Sequence, residues 1–193
     1  MIRLFEILYK KDLNELPDAF FLFMIADKAF HLYGTHCPNC RTKGRLSFYP
    51  SYERNLVGYG NGSVQENRVT IRRVYCSSCE TTSAILPDII VPYKTYSLLF
   101  ILHVLKAYFF RKGSVPALCA HFGIAAATLY AWKMRYLTHK VLHLGVLEKY
   151  FHTEDPHLSE PASIFFSGFL STFSHRFGFS FLQYKKATRF NSS

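Results

Sequence analysis

The residues best equipped for chemistry in this chain are two thiol pairs, "CPNC" at 37–40 and "CSSC" at 76–79. A Cys-x-x-Cys turn sets two sulfurs on one side of a tight knuckle, which is half of a tetrahedral metal site, and two such turns complete it. Four sulfurs suit zinc, so one structural Zn2+ held by Cys37, Cys40, Cys76 and Cys79 is expected. A closed set of four ligands leaves no position for a substrate water, so the ion would hold structure rather than catalyse. The rival chemistry is thiol–disulfide exchange, in which one pair carries an attacking thiolate. Two equivalent pairs and the lack of a thioredoxin-like βαβ frame count against it. His36 reads as a flank residue, and Cys119, set among apolar residues, as a small core residue.

An element must carry the chain from one knuckle to the other. The interval 41–75 is longer than the roughly 15–20 residues of the commonest paired pattern. It is filled by "RLSFYPSYERNLV" and "ENRVTIRRVYC" on either side of "GYGNGS". The glycines and asparagine of that turn supply the positive φ that a hairpin reversal needs. One strand therefore leaves the first knuckle and the other returns to the second, with a third strand in "TTSAILP" ended by Pro87. That is a zinc ribbon over 35–93.

A second candidate site lies in "SVPALCAHFGIAAATLYAWKMRYL". Ser97 can cap a helix through Phe110 that Gly113 stops; Ser114 with Pro116 opens a short second helix; Gly123 turns the chain into a third beginning near Ala126. Leu129, Trp132 and Tyr136 share one face of that third helix, leaving Ala127, Thr128, Tyr130, Ala131, Met134 and Arg135 outward, with Lys133 at the edge. This is helix-turn-helix spacing over 94–150, and such a unit inserts the start of its second helix into a DNA major groove. Arg135, Lys133 and Tyr130 can meet phosphates, and Thr128 or the alanines can touch thymine methyls. Arg72 and Arg73 of the ribbon can add backbone contacts. A face so rich in alanine has little hydrogen bonding to offer bases, so weak sequence reading is expected.

Charge agrees with that placement. The formal net charge is +10, a surplus that suits a polyanionic partner. Within 101–150, Lys106, Arg111, Lys112, Lys133, Arg135, Lys140 and Lys149 are opposed by Glu148 alone. With 49% hydrophobic and 17% aromatic residues the chain is too apolar to be disordered. The opening "MIRLFEILYKKDLNELPD" carries early acids and no small-residue cleavage site, and "SLLFILHVLKAYFF" is broken by His103 and Lys106 before it reaches the ~20 residues of a membrane span. A cytoplasmic protein without membrane contact is expected. Residues 1–34 read as a brace of two short helices, 151–163 as an acidic, proline-bearing linker, and 164–193 as an aromatic helix (Phe166, Phe169, Leu170, Phe173, Phe177) with a basic tail. That helix either finishes the core or pairs with a second copy, making a homodimer.

These motifs resemble those of the zinc-ribbon plus helix-turn-helix proteins associated with bacterial insertion sequences, including the N-terminal parts of several transposases. The resemblance rests on "CPNC", on "RRVYCSSC" followed by "ILPDIIVPYKTYS", and on "FGIAAATLYAWKMRY", which is similar to the Gly-Ile-Ser-x-x-Thr-Leu-Tyr-x-Trp of that family's helix-turn-helix; it covers about 37–136. It puts Thr128, Tyr130 and Trp132 at motif positions, while Ala125 stands where the family has a capping serine. Transposases of this kind continue into a catalytic domain whose spaced carboxylates hold two metals; here Glu148, Glu154, Asp155 and Glu160 are all that follows Lys140. The expectation is an α+β protein, a ribbon followed by an all-helical unit. It would bind double-stranded DNA without catalysis, as an accessory or regulatory factor, with a transposase or integrase as partner. Two other classes stay open: a protein-interaction module recruiting a nuclease, polymerase or transposase, and an RNA-binding ribbon whose Tyr and Arg stack on bases.

Overall fold

The computed structural model describes residues 2–4, 24, 30–87 and 89–151, with side chains in the last helix described as far as 138. Three antiparallel strands and three helices make an α+β architecture. The strands are β2 (Leu46–Gly60), β3 (Ser63–Cys76) and β4 (Thr81–Pro87), and a short β1 (Ile2–Leu4) runs parallel to β4, giving the order β1-β4-β3-β2. The helices are α1 (Leu98–Phe109), α2 (Val115–Phe122) and α3 (Ala126–Phe151).

The long hairpin turns at Asn61 and Gly62, both with positive φ (52° and 76°). This is the mirror-image turn whose twist matches that of the flanking strands. Pairing runs from Gly60↔Ser63 back to Leu46↔Cys76. It is interrupted once: Tyr49 lies opposite Arg73 but Tyr52 opposite Ile71, so β2 carries one extra residue at Pro50–Ser51. A proline fits such a bulge because it has no N–H to donate to the ladder.

Alternation along β3 sends its side chains to two separate cores. Val69 and Ile71 face the helices, joining Leu56, Leu102, Leu105, Leu129, Trp132 and Tyr136 in the main core. Val74 faces the other side and packs with Phe30 and Ile85 in a second, smaller core beside the thiol knuckles. The first turns of α1 are apolar all round and bury Leu98, Leu99, Phe100, Ile101 and Leu102, so this run is the central core helix. Phe100 sits within an aromatic cluster, 5.2 Å from Tyr96, 6.0 Å from Phe122 and 6.1 Å from Trp132, ring centre to ring centre. Among the described residues no single helix is long and apolar enough to cross a membrane; α2 and α3 would suffice only together, and they bend by 101°.

The helix ends follow local rules. Ser97 caps α1, its hydroxyl accepting from the Phe100 N–H (3.0 Å), and Ser114 caps α2, accepting from Ala117 N–H (3.4 Å), with Pro116 in the first turn. Gly123 (φ 61°) ends α2: its N–H bonds the Ala120 carbonyl, and the Ile124 N–H bonds that of Cys119. This pair of bonds is the Schellman closure.

Two expectations are corrected. Gly113 does not stop α1. The same Schellman closure forms earlier, Arg111 N–H to Tyr108 O (3.1 Å) and Lys112 N–H to Ala107 O (3.0 Å), with Arg111 itself left-handed at φ 51°. The two closing hydrogen bonds and the burial of α1 outweigh the roughly 1–2 kcal/mol that a non-glycine residue costs there. At the N-terminus, Ile2–Leu4 is a strand rather than part of a helix, because the free edge of β4 offers it backbone partners at 85–87. Met24 is helical; the rest of the expected brace, the linker after Phe151 and the aromatic helix with Phe166, Phe169, Leu170, Phe173 and Phe177 lie outside the described residues.

Candidate metal centre and exposed helix face

The two thiol knuckles obey one pattern. In Cys37-Pro-Asn-Cys40-Arg41-Thr42 and Cys76-Ser-Ser-Cys79-Glu80-Thr81, the residue after the second cysteine turns left-handed, Arg41 at φ 64° and Glu80 at φ 54°. The first knuckle closes through Arg41 N–H to Cys37 O and Cys37 N–H to Thr42 O, both 3.0 Å, under a bridge between His36 and Lys43. The second is the turn between β3 and β4. A bond from the Ser77 N–H to the Arg45 carbonyl (3.0 Å) ties the second knuckle to the chain leaving the first.

All four sulfurs lie within 4.8 Å of one another, with Cys37 and Cys79 3.6 Å apart and Cys40 and Cys76 3.7 Å apart. A disulfide would bring a pair to about 2.05 Å; these are four thiols around a common centre. An ion about 2.3 Å from each of four sulfurs in a tetrahedron needs neighbours about 3.8 Å apart, so the set fits a metal. Sequence spacing alone picked out these residues. His36 is engaged across the knuckle instead, and Cys119 is half-buried against the main core.

Sequence reasoning missed the threonines. Thr42 Oγ1 lies 3.3 Å from Cys40 Sγ and Thr81 Oγ1 3.0 Å from Cys79 Sγ, at the same position of each knuckle. Once a sulfur is a thiolate such a hydroxyl can only donate to it. The Thr81 bond pulls the Cys79 thiol down to about 6, whereas burial pushes Cys76 up to about 11. The Cys37 thiol is also lowered, chiefly by the backbone N–H of Cys40. The repeated Cys-x-x-Cys-x-Thr was the available signal.

The second candidate site is the outer face of α3. Leu129, Trp132 and Tyr136 are buried against the main core, as their spacing required. Ala127, Tyr130, Ala131 and Met134 are exposed, and Thr128, Lys133 and Arg135 are half-buried. Lys133 is partly held back: its Nζ donates to the Tyr108 hydroxyl of α1 (2.9 Å). Burial lowers the pKa of Arg135. Ala125 accepts from the N–H groups of Thr128 and Leu129 through its carbonyl but has no side-chain oxygen for the first turn. Arg72 and Arg73 do not reach outward as free charges. Arg72 lies over Phe30 and Phe48, and Arg73 over Tyr49 and Tyr52 with its Nε donating to the Pro50 carbonyl (2.7 Å).

The helical unit is fastened to the far end of the hairpin. Val57 N–H bonds Thr95 O and Ser97 N–H bonds Val57 O, so the segment entering α1 runs along β2. The Tyr59 hydroxyl lies 3.0 Å from His121 Nε2 of α2, and its ring packs 5.2 Å from Phe122.

A family model described as a domain of unknown function, DUF6431, matches residues 37–132. The matched span begins at Cys37 and ends at Trp132, so it takes in the four clustered cysteines and the start of α3 but stops short of Lys133, Met134 and Arg135. Neither a curated protein nor a solved structure matches.

Proposed function

We propose that this chain is a DNA-binding protein without catalysis of its own, in which α2 and α3 act as a helix-turn-helix and the thiol knuckles hold a structural zinc. The observation that carries the reading is the 101° bend between α2 and α3 at a glycine-led turn, with the start of α3 exposed and its opposite face locked into the core. That is the angle at which paired helices place the second in a major groove.

The ion is read as zinc because four thiolates at tetrahedral spacing suit it and leave no open position. Zinc here would supply structure, pinning the hairpin whose other end carries the helices. The role is that of an accessory or regulatory factor, in keeping with the resemblance to the end-recognition part of transposases. Ala127, Thr128, Tyr130 and Ala131 approach the groove, while Lys133 and Arg135 contribute charge from its edge.

Titration of labelled blunt duplex DNA by fluorescence anisotropy tests this. Affinity should fall steeply with salt, the logarithmic slope being about −0.9 per phosphate neutralised. Ala127→Glu and Ala131→Glu, both exposed and remote from the core, should abolish binding without lowering the melting temperature. No binding at low salt, or undiminished binding by both variants, would overturn the proposal.

A further inference from the structure

The bulge in β2 has an effect on side-chain direction. Successive strand residues point to opposite faces, so Tyr49 and Tyr52, three apart, would normally diverge. The extra residue at Pro50–Ser51 sets Tyr49 opposite Arg73 and Tyr52 opposite Ile71, two β3 positions on one face. Both tyrosines therefore emerge on the same side, each more than a third exposed (44% and 39%). Arg73 lies between them, its guanidinium carbon 4.9 Å from the Tyr49 ring centre and 5.8 Å from that of Tyr52. The Pro50 carbonyl, at the same bulge, accepts from the Arg73 Nε–H and fixes the guanidinium. Tyr75 adds a ring 6.2 Å from Tyr49, tilted by 31°.

Among the described residues the ion pair of the hairpin joins Arg68 to Glu53, so no carboxylate neutralises Arg73. The result is a positive platform of exposed rings held in place by one arginine. Simple hydrophobic docking would not need that charge, and a peptide partner would have to be acidic to match it. Aromatic faces spaced by a guanidinium suit a ligand with flat rings on an anionic backbone.

We propose that Tyr49, Tyr52 and Arg73 form a stacking site for unpaired bases of a nucleic-acid strand, separate from the α3 face. Bases stack on the tyrosine rings, while the charge of Arg73, held between those rings, attracts the anionic strand. The site would engage a frayed end or overhang beside the duplex, or a single strand alone. It does not depend on the duplex-binding proposal, since it uses other residues on another element.

The test uses the full chain loaded with zinc and four probes: oligothymidine, oligouridine, a blunt duplex, and the same duplex with a thymidine overhang. The overhang should tighten binding by about tenfold per stacked ring. Tyr49→Leu and Tyr52→Leu, which keep bulk but lose the π face, should each remove about that factor and leave the blunt duplex unaffected. Tyr49→Phe should retain it. Amide hydrogen exchange along 46–54 and 69–76 checks that each variant keeps the hairpin, and Trp132 fluorescence that it keeps the main core. Single strands should bind in both chemistries, and the tighter of the two names the natural source.

Equal affinity for blunt and overhung duplex, with no single-strand binding, would overturn the proposal and give the face to a protein partner. So would Leu variants that weaken every probe alike, or a Phe variant as impaired as Leu. Single-strand binding without blunt-duplex binding would refute the helix-turn-helix reading and leave this one standing.

Discussion

Removing the metal should unfold the knuckles and spare the helices. At about 1–2 kcal/mol per ordered residue, fixing the backbone of 37–43 and 76–80 costs roughly 12–24 kcal/mol. The three backbone hydrogen bonds at Cys37, Arg41 and Ser77 return only about 1 kcal/mol each. That falls far short of the ordering cost, so the knuckles should hold only with an ion bound. The main core, by contrast, contains no knuckle residue: Leu56, Ile71, Phe100, Leu102, Leu129 and Tyr136 pack without them. The chain's single tryptophan, Trp132, lies in that core and reports on it alone. The assay is hydrogen exchange followed residue by residue with and without a chelator, beside Trp132 emission. Protection should vanish at the knuckle end of the hairpin, around 46–48 and 74–76, while Trp132 emission and helical circular dichroism persist. Cys76→Ser should behave like the chelated wild type. If Trp132 emission were lost together with the knuckles, or the knuckles stayed protected without metal, the division into two independently stabilised ends would be wrong.

The two Schellman closures make opposite predictions. Gly123→Ala places a Cβ at φ 61° with nothing within 4 Å of it, so it should cost the conformational penalty alone, about 1–2 kcal/mol in chemical denaturation. Arg111→Gly relieves the same strain at the end of α1 and should stabilise by up to about 1 kcal/mol, read by the same denaturation. Ser97→Ala removes the buried cap of α1 and should cost about 1–2 kcal/mol, visible as a lower melting temperature. His103 is held below its usual value by burial and then by Lys106. Its unfolded form therefore binds more protons, so stability is full above the ordinary histidine value near 6.5 and declines as pH falls below it. Urea denaturation followed by Trp132 emission at mildly acidic and neutral pH should show this slope, and His103→Gln should flatten it.

What the sequence disclosed was local. The Asn61-Gly62 reversal, the caps at Ser97 and Ser114, the αL glycine at 123 and the cysteine spacing each depend on a few adjacent residues, and all appear in the structure. What it concealed depends on distant partners. The bulge at Pro50–Ser51 exists only relative to β3, and the strand at Ile2–Leu4 only relative to β4, nearly the whole ribbon away. Arg111 could take the left-handed position because α1 is buried strongly enough to bear it, which no propensity at 111–113 announces. Arg72 and Arg73, expected to add backbone contacts, lie over rings of Phe48 and Tyr49 that cross-strand pairing brings to them.

The middle of β3 keeps two counts at once. Odd-numbered positions 69 and 71 serve the helices, and even-numbered 74 and 76 serve the small core and the metal ligand. Losing or gaining one residue between Ile71 and Val74 would swap that parity for everything beyond it, turning a thiol toward the helices and an arginine toward the ion. The loop at Asn61-Gly62 carries no such double duty. An added residue at the tip would disturb only the local bonds of Tyr59 to Gly62 and His121, whereas the shaft is locked to a single count.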